Sequence, residues 1–157
     1  MMNLDDIRQG RVKNLMSANL HRTSLSKADL AQADLSDANL TQADLYKANL
    51  SGAILRRANL SRTYLARADL TRADLQWANL TGAKLYRANL TRADLTGADL
   101  TWADLAKANL TGMKLNGPEL LHVGWFEHCT LPARLLPWLT AHPRFAEWLP
   151  TLTVVED

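Results

Sequence analysis

The sequence predicts an all-β solenoid, square in section and about five coils long, closed by a short N-terminal cap and a helical C-terminal cap. Three observations predict it. Leucine stands at every fifth position from Leu15 to Leu120, 22 residues in one phase. Two residues before most of them stands alanine, as at Ala18, Ala28, Ala33, Ala38, Ala43, Ala48, Ala53 and Ala58. Between the two stands Asp or Asn, as at Asn19, Asp29, Asp34, Asn39, Asp44 and Asn49, so the unit reads Ala-Asp/Asn-Leu-x-x.

A five-residue period excludes both ordinary elements. On an α-helix, where each residue advances about 100°, successive leucines would wander around the cylinder and leave no buried stripe. In one continuous strand an odd period would send successive leucines to opposite faces. The pattern is coherent only if the chain turns a corner once per unit, with alanine and leucine inward and three positions outward. Four corners close a coil of about 20 residues, with neighbouring coils about 4.8 Å apart. Each leucine contributes roughly 1.5–3 kcal/mol on burial, enough in sum to hold a thin rod together. The alanine stays small because four side chains converge near the axis.

Taken in order, residues 1–13 read as a short helix or turn covering the first coil. Asn3 is an N-cap, Asp5 and Asp6 sit in the positive first turn, Leu4 and Ile7 pack together, and Gly10 ends the segment. Such a cover blunts the unpaired strand groups of a solenoid end. Residues 14–120 form the coils. Thr23 and Thr63 replace the inward alanine, where a buried hydroxyl must bond backbone. Ile54, Tyr64, Lys84 and Lys114 replace the outward Asp/Asn. Met113 and Pro118 take the alanine position in the last units, are bulky for a tight interior, and so mark the coils' end.

Residues 121–157 change composition. Trp125, Phe126, Trp138, Phe145 and Trp148 crowd there among Pro132, Pro137, Pro143 and Pro150. One helix is expected after Pro132 through Leu135, Leu136 and Leu139, and a second short one from Pro143 to Leu149. Two uses of the aromatics stay open: a lid on the last coil, or a homodimer interface. Val154 and Val155 carry no signal.

The tandem runs ADLSDANLTQADLYKANL and RADLTGADLTWADLAKANL resemble the pentapeptide repeat family over about two thirds of the chain. The resemblance implies a right-handed quadrilateral β-helix. It also implies two functions for such a rod: a non-catalytic interaction or scaffold module, or a duplex-DNA mimic that binds a type II topoisomerase (gyrase) and gives resistance or protection. The mimics are strongly negative, long and interrupted by loops; this repeat sums to a positive charge, is short and has no loop insertion. Dimerisation through the C-terminal end is known in the family.

Composition narrows the partners. Eighteen basic and 16 acidic side chains give a net charge of +2, against a generic polyanion binder. The lone Cys129 excludes an internal disulfide. No apolar run approaches the roughly 20 residues needed to span a bilayer, and the first residues lack a secretory layout, so a cytoplasmic setting without membrane contact is expected; a bacterial one is what the family resemblance implies.

Reading outward positions at a period of 20 resolves four faces. On the face led by Leu25, Leu45, Leu65, Leu85 and Leu105, the position two after each leucine is Lys27, Lys47, Arg67, Arg87 and Lys107, all basic. Lys84 joins them, so six cations stand against Asp44 and Asp104. Tyr46, Tyr64 and Tyr86 share this face. The faces led by Leu20 and Leu30 balance, and the Leu15 face is slightly negative. Three readings of the basic face stay open: stems that cover the sheet and keep its edges soluble, a docking face for an acidic protein with tyrosine and arginine anchors, or, less favoured, direct contact with phosphates. Columns of Asn (Asn19, Asn39, Asn59, Asn79) and of hydroxyls (Thr41, Ser61, Thr81, Thr101) read as structural, bonding along the solenoid.

No catalytic, metal or cofactor site is expected. The periodic Asp residues face out with no reason for enzyme-like pKa values. His122, Glu127, His128 and Cys129 match no zinc spacing. There is no phosphate-binding loop, and so narrow a solenoid offers no pocket.

Overall fold

The computed structural model describes residues 3–115 and 117–156. A single short helix, α1 (Leu4–Arg8), precedes the repeat. The Asn3 side chain accepts the Asp5 amide at 3.0 Å and Asp5 and Asp6 lie in the first turn, as its composition requires. Ile7 is buried on the first coil, and Gly10 leaves the helix at φ 68°.

From Asn14 onward each five-residue unit is one parallel bridge and one tight turn. The bridges join residues 20 apart and form four columns. They run through Asn14, Asp34, Ile54, Asp74, Asp94 and Lys114; through Asn19, Asn39, Asn59, Asn79 and Asp99; through Ser24, Asp44, Tyr64, Lys84 and Asp104; and through Asp29, Asn49, Asp69, Asn89 and Asn109. Two backbone bonds make each bridge. The leucine amide donates to the middle residue of the next coil, as Leu45 N–H to Tyr64 O at 2.8 Å. The middle amide donates to the alanine carbonyl of the previous coil, as Asn49 N–H to Ala28 O at 2.9 Å. The corner between units closes from alanine amide to leucine carbonyl, as Ala48 N–H to Leu45 O at 3.0 Å.

This corner explains the middle Asp/Asn. Its Oδ1 accepts the amide two residues on, as Asp44 from Tyr46 at 2.9 Å and Asn79 from Thr81 at 2.9 Å. Short acceptor side chains are the residues that bond their own backbone two positions on. The Thr and Ser hydroxyls mostly bond the same oxygen, as Thr91 to Asn89 at 2.6 Å. Bonds between coils are the exception, as Asn39 Nδ2 to Asn19 Oδ1 at 3.4 Å and Asn89 Nδ2 to Thr71 Oγ1 at 2.8 Å. The expected polar ladders therefore serve the turns first.

Leucines and alanines fill the interior, most of them with no exposed surface. Thr63 is buried among them and its hydroxyl donates to the Leu40 carbonyl at 2.8 Å. Met113 is buried too, contrary to the expectation that its bulk ends the core. It stands in the last coil, where a flexible thioether fills an irregular layer. The expectation for Pro118 lies outside the described side chains.

Pairing does not stop at Leu120. A 3-10 turn, Gly117–Leu120, follows, and between Lys114 and Trp125 the register shifts by one residue, so Asp104 bridges Trp125 and Asn109 bridges Thr130. Phe126 and Leu131 thereby take the leucine position and Cys129 the alanine position, while Val123 is buried and closes the corner to the Leu120 carbonyl at 3.1 Å, so that Gly124 is the additional residue. A Cβ at Gly124 would lie 2.9 Å from the Trp102 carbonyl oxygen, so the slipped unit needs glycine there. The coil then gains a further rung: β1 (Thr130–Pro132) pairs in parallel with β2 (Thr153–Val155), which the sequence left unread.

Between these strands the chain is less helical than expected. Pro132 caps a 3-10 turn, Ala133–Leu135, that leads into α2 (Leu136–Thr140) with Pro137 in its first turn. The second expected helix is only two 3-10 turns, Pro143–Phe145 and Leu149–Thr151. Pro150 lacks the amide that would extend it. Leu135, Leu139 and Phe145 are buried against the end of the core. Arg144 holds the segment down by donating to the Val123 carbonyl at 2.8 Å and to the Leu121 carbonyl; Arg134 donates to the Met113 carbonyl. Among the described residues no helix is long and apolar enough to cross a membrane.

Candidate partner-docking face

The turn that closes each unit places its third residue in the left-handed region. All twenty such residues from Ser17 to Gly112 have φ between 55° and 71°, and only Gly52, Gly82, Gly97 and Gly112 are glycine. The remainder carry side chains in a conformation that L-residues enter at a cost of about 1–2 kcal/mol. Lys27, Lys47, Arg67, Arg87 and Lys107 all occupy this position. Because Ser24, Asp44, Tyr64, Lys84 and Asp104 bridge in register, these five cations stand one per coil on one face. All five are exposed, as is Lys84.

Charge pairing separates this face from the opposite one, led by Leu15. On the Leu15 face Arg57 grips Asp37 through two bonds of 2.8 and 2.9 Å, Arg56 pairs with Asp74 at 2.5 Å, and Lys114 with Asp94 at 3.6 Å. Each of the three cations on that face is paired. None of Lys27, Lys47, Arg67, Lys84, Arg87 and Lys107 has an ion pair among the described residues. Asp44 and Asp104 are spent on turn amides, accepting from Tyr46 at 2.9 Å and Ala106 at 3.0 Å.

The tyrosines are organised with the cations. Tyr46 and Tyr64 stack with centroids 5.9 Å apart. Lys47 Nζ lies 5.3 Å from the Tyr46 centroid, while Arg87 and Lys107 lie 5.2 and 5.7 Å from that of Tyr86. Such contacts draw the cations toward the ring faces.

The face is longer than the sequence suggests. Through the register slip Trp125, 58% exposed, continues the Tyr64–Lys84–Asp104 column, and His128 takes the left-handed turn position after Phe126 at φ 53°. A strict five-residue count assigns Trp125 to the end segment; only the slip places it here. The other four end aromatics separate differently. Phe126 and Phe145 are fully buried and meet edge to face at 5.9 Å. Trp138 and Trp148 are half-buried, 5.6 and 6.0 Å from the Phe145 ring.

No group of three His, Cys, Asp or Glu is placed to hold a metal, and no pocket opens among the described residues. Burial pushes the Cys129 thiol up to about 12, and its sulfur donates to the Leu105 carbonyl. The pKa shifts of Asp34 and Asp99 are downward and local, set by the hydroxyl and amide of Ser36 and Thr101.

Comparison with known proteins fits this architecture. Models of pentapeptide repeats match residues 14–52, 43–82 and 73–112, well over half of the chain. No curated protein matches it. Among solved structures, the pentapeptide repeat protein Rfr23 of the cyanobacterium Cyanothece 51142 is 35% identical, with a TM-score of 0.69 over 79% of this chain and 97% of that one. The pentapeptide repeat protein alr5209 of Nostoc PCC 7120 is 41% identical, with a TM-score of 0.56 over 67% of this chain and 84% of that one. The chain belongs to the pentapeptide repeat family, whose known structures are right-handed β-helices.

Proposed function

We propose that this protein is a non-catalytic interaction module that docks an acidic protein on its Leu25 face. The observation that carries the reading is a contrast in pairing: the Leu15 face pairs Arg56, Arg57 and Lys114, whereas the Leu25 face leaves six cations free of ion pairs among the described residues, against Arg22 and Arg62 on the Leu20 face and Arg72 and Arg92 on the Leu30 face. Surface cations kept out of pairs are available to a partner, and they steer its approach. Tyrosine and arginine are frequent interface anchors, and Tyr46, Tyr64, Tyr86, Arg67 and Arg87 stand together here. The positive sign is opposite to that of a duplex mimic, since duplex DNA presents one negative charge per about 1.7 Å.

In the same reading about five coils form the rod, α1 caps its first coil and the segment after Thr130 caps its last. Burial of Ile7 at one end and of Leu135, Leu139 and Phe145 at the other supports both caps. Phe126 and Phe145 are consumed inside the chain, which favours a lid over a homodimer interface.

The test is quantitative capture of partners by the full chain, by Arg67→Glu with Arg87→Glu, and by Arg72→Glu with Arg92→Glu on the Leu30 face. Loss of the same acidic partner with the first pair alone is expected. If the first pair retains its partners, the docking face is wrong.

A further inference from the structure

We infer that the Leu25 face is shaped for an acidic α-helix lying along the solenoid axis, an inference that rests on the docking reading above. The spacing of the cations carries it. The bridges Ser24–Asp44–Tyr64–Lys84–Asp104 hold every coil in register, with no slip between Lys27 and Lys107. At about 4.8 Å per coil, five cations make a straight row of about 19 Å.

Three kinds of acidic ligand meet that row differently. On an α-helix, carboxylates three and four residues apart share a face and climb by about 5.3 Å per step. Four steps then span about 21 Å, a mismatch of about 2 Å that flexible Lys and Arg stems absorb. In an extended peptide, side chains on one face repeat at about 6.7 Å, so four steps span about 27 Å and register is lost by the third cation. A duplex winds its phosphates around a turn of about 34 Å, so a straight row follows neither strand for its whole length. The helix fits best.

The flanks of the row add a direction. On the side toward the preceding residues lie Tyr46, Tyr64 and Tyr86, with Trp125 at 58% exposure beyond them. On the other side lies the Asp29–Asn49–Asp69–Asn89–Asn109 column. The partner helix therefore carries a stripe of Glu or Asp at alternating three- and four-residue spacing over about 15 residues, with apolar side chains on one flank only. The rings receive that flank, and the polar column faces the other.

The experiment uses the full chain and four labelled probes, read by fluorescence anisotropy. The first is a peptide of about 18 residues, stapled on its back, with one glutamate stripe and leucines on one flank. The second has the same composition with its glutamates dispersed around the helix. The third keeps the stripe sequence unstapled but carries two central prolines, which forbid the helix. The fourth is a duplex DNA of about 20 base pairs. The stripe helix is expected to bind at least about tenfold more tightly than the other three. That advantage should vanish in Arg67→Glu with Arg87→Glu and survive in Arg72→Glu with Arg92→Glu. Equal binding of the stripe, dispersed and proline peptides overturns the helix while leaving an acidic docking face in place. Failure of every acidic peptide to bind sinks both. Tighter binding of the duplex replaces the protein partner with nucleic acid.

Discussion

Arg67→Gly should make the protein more stable. Arg67 sits at φ 59°, in a turn whose third residue is left-handed in every unit from Ser17 to Gly112. Replacing it by glycine removes a conformational cost of about 1–2 kcal/mol. Glycine also loses more freedom on folding, which returns about 0.5–1 kcal/mol of that gain. The net is about 0.5–1 kcal/mol of stabilisation, or a rise of about 1–4 °C in thermal midpoint for a chain of this size. Arg67 has no ion pair to lose, and Lys47 and Arg87 flank it on the neighbouring coils, so relief of like-charge repulsion acts in the same direction. Arg57→Gly is the control: it sits at φ 55° but gives up two bonds to Asp37, so its gain should be smaller. Both are read from the far-ultraviolet circular dichroism of the full chain on heating. A lower midpoint for Arg67→Gly, or a larger gain for Arg57→Gly, would refute the claim that the basic column is held against a backbone preference.

Three further outcomes test the packing and the turns. Thr63→Val should cost about 1 kcal/mol in urea unfolding, because the buried hydroxyl bond to Leu40 O is lost at nearly constant volume; no loss would mean that the bond is idle. Gly97→Ala forces a Cβ to within 2.3 Å of the Trp77 ring at φ 71°, so it should cost about 1–3 kcal/mol in the wild type and about 1 kcal/mol in a Trp77→Ala background. Equal costs in the two backgrounds would show that the indole moves aside freely. Asp94 and Asp99 have folded pKa values below the usual carboxylate value: burial pushes Asp94 up, but the Thr96 hydroxyl and amide and Lys114 outweigh it, and the Thr101 hydroxyl and amide dominate at Asp99. Stability from such groups is present above the unfolded value of about 4 and is lost as pH falls through the folded value. The thermal midpoint should therefore drop on acidification below about pH 4, and drop less in Asp94→Asn with Asp99→Asn, whose amide oxygens keep the turn bonds.

What the sequence makes legible is what repeats. The period of Leu15 to Leu120 dictates one corner per five residues, and the stacking of positions 20 apart follows once a coil is closed. Two things escape that logic. The first is the left-handed turn residue: Lys, Arg and Trp at that position give no hint of φ > 0, because the repeat tolerates them where glycine is expected. The presence of Gly52, Gly82, Gly97 and Gly112 at the same place is the signal that could have revealed it. The second is the slip between Lys114 and Trp125. A single inserted residue destroys phase without destroying pairing, so Phe126 and Leu131 read as the start of another segment although they continue the leucine position. Placement of Trp125 on the basic face was lost with that phase, and β2 was lost because three residues carry no period.

The uniformity of the turns also constrains how the basic column is interpreted. Leucine and alanine are fixed by the interior, and the middle residue is drawn toward Asp or Asn by the amide it must accept. The residue two after leucine has no such duty: its side chain is exposed at nearly every turn, and its backbone state is the same on all four faces. Local conformation therefore favours glycine equally everywhere and cannot explain why one face has Lys27, Lys47, Arg67, Arg87 and Lys107 while another has Gln32, Gly52, Arg72, Arg92 and Gly112. The choice was made by what lies outside the rod. If that is only water, either sign of charge serves, and Arg67→Glu with Arg87→Glu should leave the protein as soluble as before with every partner retained. If it is an acidic surface, solubility is unchanged and the partner is lost, so measuring both on the same two variants separates the two causes.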